Sequence, residues 1–151
     1  MSEPVSLSDL DKLVIERACE RLVYEFFEAI DTRNERHLEQ LFIADCTYAR
    51  PIEPDTIIRG IENVVQAFAA RPPRATRHIC SNVRISVESA TRARGNHRVV
   101  LIGGPTEPGA HPQLGFKADA RQLIGEFDDE FVKTAEGWRF ASRRGRVILH
   151  T

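Results

Sequence analysis

IENVVQAFAARPPRATRHICSNVRISVES, residues 61–89, is the stretch on which the fold turns. Its first part spaces Ile61, Val64, Val65, Phe68 and Ala69 as the apolar stripe of a helix. Arg71-Pro72-Pro73 ends that helix, because proline donates no backbone hydrogen bond and restricts the residue before it. From Thr76 to Ser89 the period is that of a strand, apolar and polar residues alternating.

Upstream of the switch the chain reads mostly helical. Leu10, Val14, Ala18, Leu22, Phe26 and Ile30 recur every fourth position between Leu7 and Arg33, with Ile15, Cys19, Val23 and Phe27 widening the stripe. Ser8 or Ser6 suits the cap of this long helix, and Asp9 and Asp11 complement the positive end of its dipole. A second, short helix follows Asn34, carries Leu38, Leu41 and Phe42 to the core, and ends at Ala44-Asp45. Thr47 to Ile52 and Thr56 to Arg59 read as short strands, and Gly60 turns the chain into the third helix.

Downstream, Thr91 to Gly103, Phe116 to Lys133 and Trp138 to Leu149 continue the alternation, with Gly104 to Gly115 as the one long loop. Helices first and strands afterwards predict an α+β fold, a curved, mostly antiparallel sheet wrapped on the long helix, with one pocket in the cone between them. At 151 residues a single domain over 1–151 is expected. If Thr134 to Gly137 is the last hairpin turn, Lys133 faces Trp138, Phe131 faces Phe140 and Asp128 faces Arg143. Val83, Ile85 and Val87 fall opposite His78 if their strand has no bulge. That apolar outer face predicts a homodimer or homotrimer built sheet to sheet.

A formal net charge of −1 favours neither a nucleic-acid backbone nor an anionic membrane surface. Arg139, Arg143, Arg144 and Arg146 are split by alternation between two faces and answered by Glu126, Asp128, Asp129 and Glu130, so they read as a paired network. The start, Met1 to Val5, has no basic and apolar leader, and the longest apolar run, Val99 to Ile102, is too short to span a membrane; a cytoplasmic location is expected. Cys19, Cys46 and Cys80 suit buried thiols. His37, His97, His111 and His150 lack metal-ligand spacing, and there is no phosphate-binding glycine loop or Gly-x-Ser-x-Gly elbow. No metal and no nucleotide cofactor are expected.

Glu28-Ala29-Ile30-Asp31-Thr32-Arg33, His37 to Phe42, Ile58 to Ile61, Thr76 to Val83 and Phe127 to Phe140 together resemble, in order and spacing, the SnoaL-like family of the nuclear transport factor 2-like superfamily. The resemblance covers about Leu7 to Ile148 and implies a cystatin-like α+β barrel. Its branch of scytalone dehydratase, bile-acid dehydratase and hexachlorocyclohexane dehydrochlorinase implies a catalytic dyad, which falls on Asp31 and His78. It also implies an arginine in the last strand, on Arg143 or, if the register slips, Arg144. Phe26 stands one turn before Asp31, where these enzymes can carry lysine or tyrosine.

Taken alone, Asp31 is a helix-end carboxylate disfavoured by roughly 0.3–1 kcal/mol at the negative pole of the dipole, so a partner is expected for it. A carboxylate that fixes one imidazole nitrogen leaves the other as a base near neutral pH. The expected activity is that of a cofactor-independent lyase or isomerase, dehydratase-like or ketosteroid-isomerase-like, acting on a small, mostly apolar or aromatic carbonyl compound. His78 and Asp31 are the catalytic candidates, with Arg143, Tyr48, Phe26 and Asp128 at the substrate. The alternatives are a non-catalytic binding module, or a structural subunit like the β chain of ring-hydroxylating dioxygenases.

Overall fold

The computed structural model describes residues 6–151; the opening Met1 to Val5 lies outside the described residues. Helix α1 spans Asp9–Asp31. The Ser8 hydroxyl accepts the Asp11 N–H while the Asp11 carboxylate accepts the Ser8 N–H, a capping box satisfying donors that a helix start leaves free. Ile15, Cys19, Leu22, Val23, Phe26, Phe27, Ala29 and Ile30 form its buried face, at the spacing read from the sequence. Arg33 then takes a left-handed backbone (φ 54°), and its guanidinium donates to the carbonyls of Arg71 (2.8 Å) and Pro72 (3.2 Å). The end of α1 is thereby tied to the segment that follows the third helix.

Helix α2, Glu35–Glu39, is capped by Asn34 and is shorter than the sequence suggests. It does not carry Phe42 and does not reach Ala44-Asp45, because strand β1 already runs from Phe42 to Ala49. The cause is tertiary. The Phe140 N–H donates to the Leu41 carbonyl at 2.8 Å, and the Phe42 and Phe140 rings pack 5.1 Å apart, pairings that no local propensity encodes. Strand β2, Ile58–Arg59, and helix α3, Ile61–Ala69, follow on either side of Gly60, whose φ of 82° suits a residue without Cβ.

Four long strands complete the chain: β3 (Arg74–Val87), β4 (Arg92–Pro105), β5 (Leu123–Thr134) and β6 (Gly137–His150). The sheet order is β2-β1-β6-β5-β4-β3, with β1 and β6 parallel and every other neighbouring pair antiparallel. The sheet is curved, and α1 packs along the inner side of β3. Strand β5 begins at Leu123 and not at Phe116, since the chain before it folds back on the end of β4, where the Asp119 N–H donates to the Gly103 carbonyl (2.8 Å).

Two bulges correct the expected faces. In β3 the register shifts between Ser81 and Arg84 around Asn82, which takes φ 54°. An inserted residue flips every side chain after it to the other face. Val83, Ile85 and Val87 therefore pack inward against the core, on the His78 side, and leave Arg84 and Ser86 outside. In β6 Phe140 faces Phe131 as expected, but Ser142 faces Glu130, so Ala141 is the extra residue. From there on the pairing is one residue out: Asp129 faces Arg143 and Asp128 faces Arg144. Bulges also bend a strand, which helps the sheet wrap the helix. Gly145 lets it approach closely, since a Cβ there would lie 2.5 Å from Pro51 Cγ and 2.9 Å from Phe127 Cε1.

At the centre of the core Phe26, fully buried, lies within 6.4 Å, centroid to centroid, of Phe27, Phe42, Tyr48, Phe68, Phe127 and Phe140. Cys19 and Cys46 are buried and Cys80 half-buried, all as free thiols.

Candidate functional site

Asp31, the last residue of α1, meets Thr76 and His78 of β3 beside a cavity. Asp31 Oδ1 lies 2.6 Å from His78 Nδ1 and accepts the Thr76 hydroxyl at 2.8 Å, while Oδ2 accepts the His78 backbone N–H at 2.8 Å. The side chains of Asp31 and His78 are 7% and 13% exposed, so these bonds form largely out of water. Burial pushes the Asp31 carboxyl up, but the hydrogen bonds and charge of His78, with the Thr76 hydroxyl, outweigh it and hold Asp31 below the usual carboxylate range. The carboxylate disfavoured by its helix end has found its partner. An ionised Asp31 accepting from Nδ1–H leaves Nε2 as the acceptor nitrogen, and Nε2 has no protein partner among the described residues. The Phe27 ring stacks on the imidazole at 5.2 Å and fixes its plane.

The cavity, about 410 Å³, opens between α1, α3 and the sheet. Phe27, Ile30, Phe68, Val99, Leu101 and Phe127 give it mostly apolar walls, and His78, Tyr48, Arg50, Arg71 and Arg74 supply the polar groups. This is the composition of a small-molecule site. A larger groove of about 630 Å³ on the outer sheet face is lined mostly by charged and polar residues, among them Arg84, Arg94, Asp128 and Arg144, and holds neither member of the Asp31–His78 pair. Tyr48 is 3% exposed, with no protein partner for its hydroxyl among the described residues. Burial pushes its pKa up to about 12 against the opposing pull of Arg143, Arg50 and Arg71, so the hydroxyl keeps its proton.

Arg143 points inward and Arg144 outward, the latter bonded to Asp55 and the Pro54 carbonyl. Arg143 is fully buried, though, and stands behind the cavity wall, not on it. Its guanidinium donates to both oxygens of Asp129, from Nε at 2.7 Å and from Nη2 at 3.2 Å, and Nη2 lies 3.1 Å from His97 Nε2. The rings of Phe26 (4.1 Å), Phe140 (4.3 Å) and Phe127 (4.7 Å) enclose it. Asp128, expected beside Arg143, lies instead on the outer face with Arg146 and Asn96. Phe26 does not line the cavity; it covers Arg143.

His97 was not singled out in the sequence. Burial first, and then the Arg143 charge, push its pKa down despite the nearby Asp129, which keeps the ring neutral and able to accept from Arg143. Its Nδ1 lies 3.3 Å from Asp129 Oδ2, out of line for a full hydrogen bond. Arg50 and Arg71 were missed as well. Arg50 had a signal, because it stands two residues after Tyr48 and so follows it onto one face; Arg71 read only as a helix end. Among the described residues, no three His, Cys, Asp or Glu side chains are grouped as a metal-binding set. No described helix is long and apolar enough to cross a membrane.

A family model described as the SnoaL-like domain matches residues 11–144. No match was found among curated proteins. Among solved structures, a protein of Novosphingobium aromaticivorans DSM 12444 provisionally named scytalone dehydratase is 24% identical, over 95% of this chain and 91% of its own, with a TM-score of 0.76. The hexachlorocyclohexane dehydrochlorinase LinA-type3 of Novosphingobium barchaimii LL02 is 20% identical over 95% of this chain and 93% of its own, with a TM-score of 0.78. An NTF2-like protein with a cystatin-like fold from Novosphingobium aromaticivorans is 16% identical over 92% and 85%, with a TM-score of 0.72.

Proposed function

This chain belongs to the SnoaL-like domain family, and from that premise we propose that it is a cofactor-independent lyase or isomerase of the dehydratase type, working as a single domain over residues 1–151. The observation that carries the reading is the Asp31–His78 hydrogen bond at the wall of an apolar cavity, with Nε2 left free to take a proton. His78 Nε2 removes a proton from carbon next to a carbonyl or leaving group. Asp31 holds the ring and stabilises the imidazolium that forms. The Tyr48 hydroxyl donates to the oxygen on which charge develops. In an elimination the C–H electron pair becomes the new double bond as the leaving group departs with its own electrons; in an isomerisation the enolate is reprotonated by His78 at another carbon.

The substrate class is a small, mostly apolar or aromatic carbonyl compound, as the phenylalanine-rich walls favour. A cytoplasmic protein and a homodimer or homotrimer belong to the same reading. The apolar outer face needed for assembly lies elsewhere than on Val83, Ile85 and Val87: Ile79, Val100, Ile124 and Leu149 are cross-strand partners in one row, with Ile79 and Leu149 exposed. A non-catalytic small-molecule-binding module is the second reading. What favours it is that Arg143, expected to face the substrate, is screened from the cavity by aromatic rings.

The test is a thermal-shift screen of cyclic ketones, hydroxy-ketones and phenols, followed by turnover assays on the binders. Turnover that falls about 10²–10⁴-fold in His78→Ala supports the enzyme. Binding without turnover by any ligand hands the case to the binding module.

A further inference from the structure

Two arginines at the cavity carry positive charge that nothing in the site answers. Arg50 follows the end of β1 and Arg71 follows the end of α3, and both line the cavity that holds His78. Arg74, at the same cavity, is paired with Asp119, but neither Arg50 nor Arg71 has a carboxylate within ion-pair distance among the described residues. The acid closest to the chemistry, Asp31, is committed to His78 and Thr76.

Each guanidinium is held by part of its donor set. Arg50 Nη2 donates to the Ala67 carbonyl at 2.9 Å, and Arg71 donates from Nε to the Phe68 carbonyl at 3.2 Å and from Nη2 to the Ile30 carbonyl at 3.3 Å. These are the last carbonyls of α3 and α1, and a cation is favourable there. Capping uses only some of the five N–H groups that each arginine owns. Arg50 Nε is buried with no partner, a state that costs desolvation energy unless something arrives to accept from it. Arg71 stacks over the Phe68 ring at 4.5 Å, which fixes its plane. Burial first, and then the charges of Arg33 and Arg50, push the Arg71 pKa down, so the cations already repel one another in a poorly hydrated place. An entering anion relieves that repulsion and fills the vacant donors in one step.

We propose that Arg50 and Arg71 form a carboxylate-binding clamp, and that the substrate is a small apolar carbon acid carrying a carboxylate, held at that end while its reactive C–H faces His78. This rests on the reading of the cavity as the substrate site, but not on catalysis by the dyad. The guanidiniums offer planar, partly pre-positioned donors, which suit a two-oxygen anion better than a neutral carbonyl.

The test is binding, by calorimetry, of paired probes to the full chain: benzoate, cinnamate and 1-naphthoate against their methyl esters. At least one acid is expected to bind wild-type protein at least tenfold more tightly than its ester. Arg50→Gln and Arg71→Gln are each expected to weaken the acid by about 10- to 100-fold, the range for a charge-assisted hydrogen bond, and to leave the ester unchanged. The wild-type comparison of acid with ester needs no variant to fold, and acids and esters that bind alike, or no acid that binds at all, overturn the clamp. Acids that bind through the arginines but are never turned over leave the clamp standing and remove the dyad's activity. Neutral ketones turned over in a His78-dependent way, with acids excluded, remove the clamp and leave the dyad.

Discussion

Arg143 is paired with Asp129 and not with its sequence neighbour Asp128, because Ala141 bulges out of β6 and moves the register by one residue. The pair is sealed, with both side chains fully buried, and only one charged partner faces the guanidinium. Removing one member of such a pair leaves a buried charge uncompensated. Asp129→Ala is expected to destabilise the fold by about 3–5 kcal/mol in urea melts, whereas Asp128→Ala, at an exposed pair, should cost about 1 kcal/mol or less. Equal costs would mean that the bulge is misplaced.

Asp31 accepts from three donors at once, the His78 ring, the His78 backbone and the Thr76 hydroxyl. Asparagine fits the space but must turn its NH₂ toward at least one of those donors. Asp31→Asn is expected to stay folded, lose about 1–3 kcal/mol of stability, and lose activity severely once a substrate is in hand. Unchanged turnover would remove Asp31 from the proposed mechanism.

The pH dependence of that stability follows from the depressed carboxyl. Asp31 sits below its ordinary 3.8 in the folded state, so it binds protons more readily when unfolded. Its contribution is complete well above 3.8, declines as pH falls through 3.8, and is gone once pH is below the lower folded value. The stability difference between wild type and Asp31→Asn, followed by denaturant melts in steps from neutral pH to below 3.8, should therefore shrink toward acid. A difference that grows toward acid would contradict the assignment.

Assembly is expected to use the row Ile79, Val100, Ile124 and Leu149 on the outer face. Light scattering at micromolar concentration should give a dimer or trimer. Ile79→Lys, which sets a charge at the exposed β3 end of that row, should shift it to monomer without lowering the melting temperature of the monomer. A wild-type protein that is already monomeric would end this expectation.

The sequence by itself determined the first and third helices, the succession of helices and strands along the chain, and the final hairpin turn. Each of these is written in a local pattern: a four-residue apolar period, an alternation, a cap, a proline pair. Even the meeting of Asp31 with His78 was foreseeable, since a carboxylate at a helix end needs a donor and family resemblance pointed to one. Only the tertiary structure decided which face each residue takes beyond a bulge. Asn82 and Ala141 each add one residue to a strand, and with a period of two a single insertion moves Val83, Ile85 and Val87 inside and exchanges Asp129 for Asp128 at Arg143. The parallel pairing of β1 with β6, and the convergence of Arg50 and Arg71 on one cavity from the ends of a strand and a helix, likewise join segments distant in sequence. Such contacts are settled by how the curved sheet closes on the helices, a packing energy summed over the whole core and carried by no local pattern.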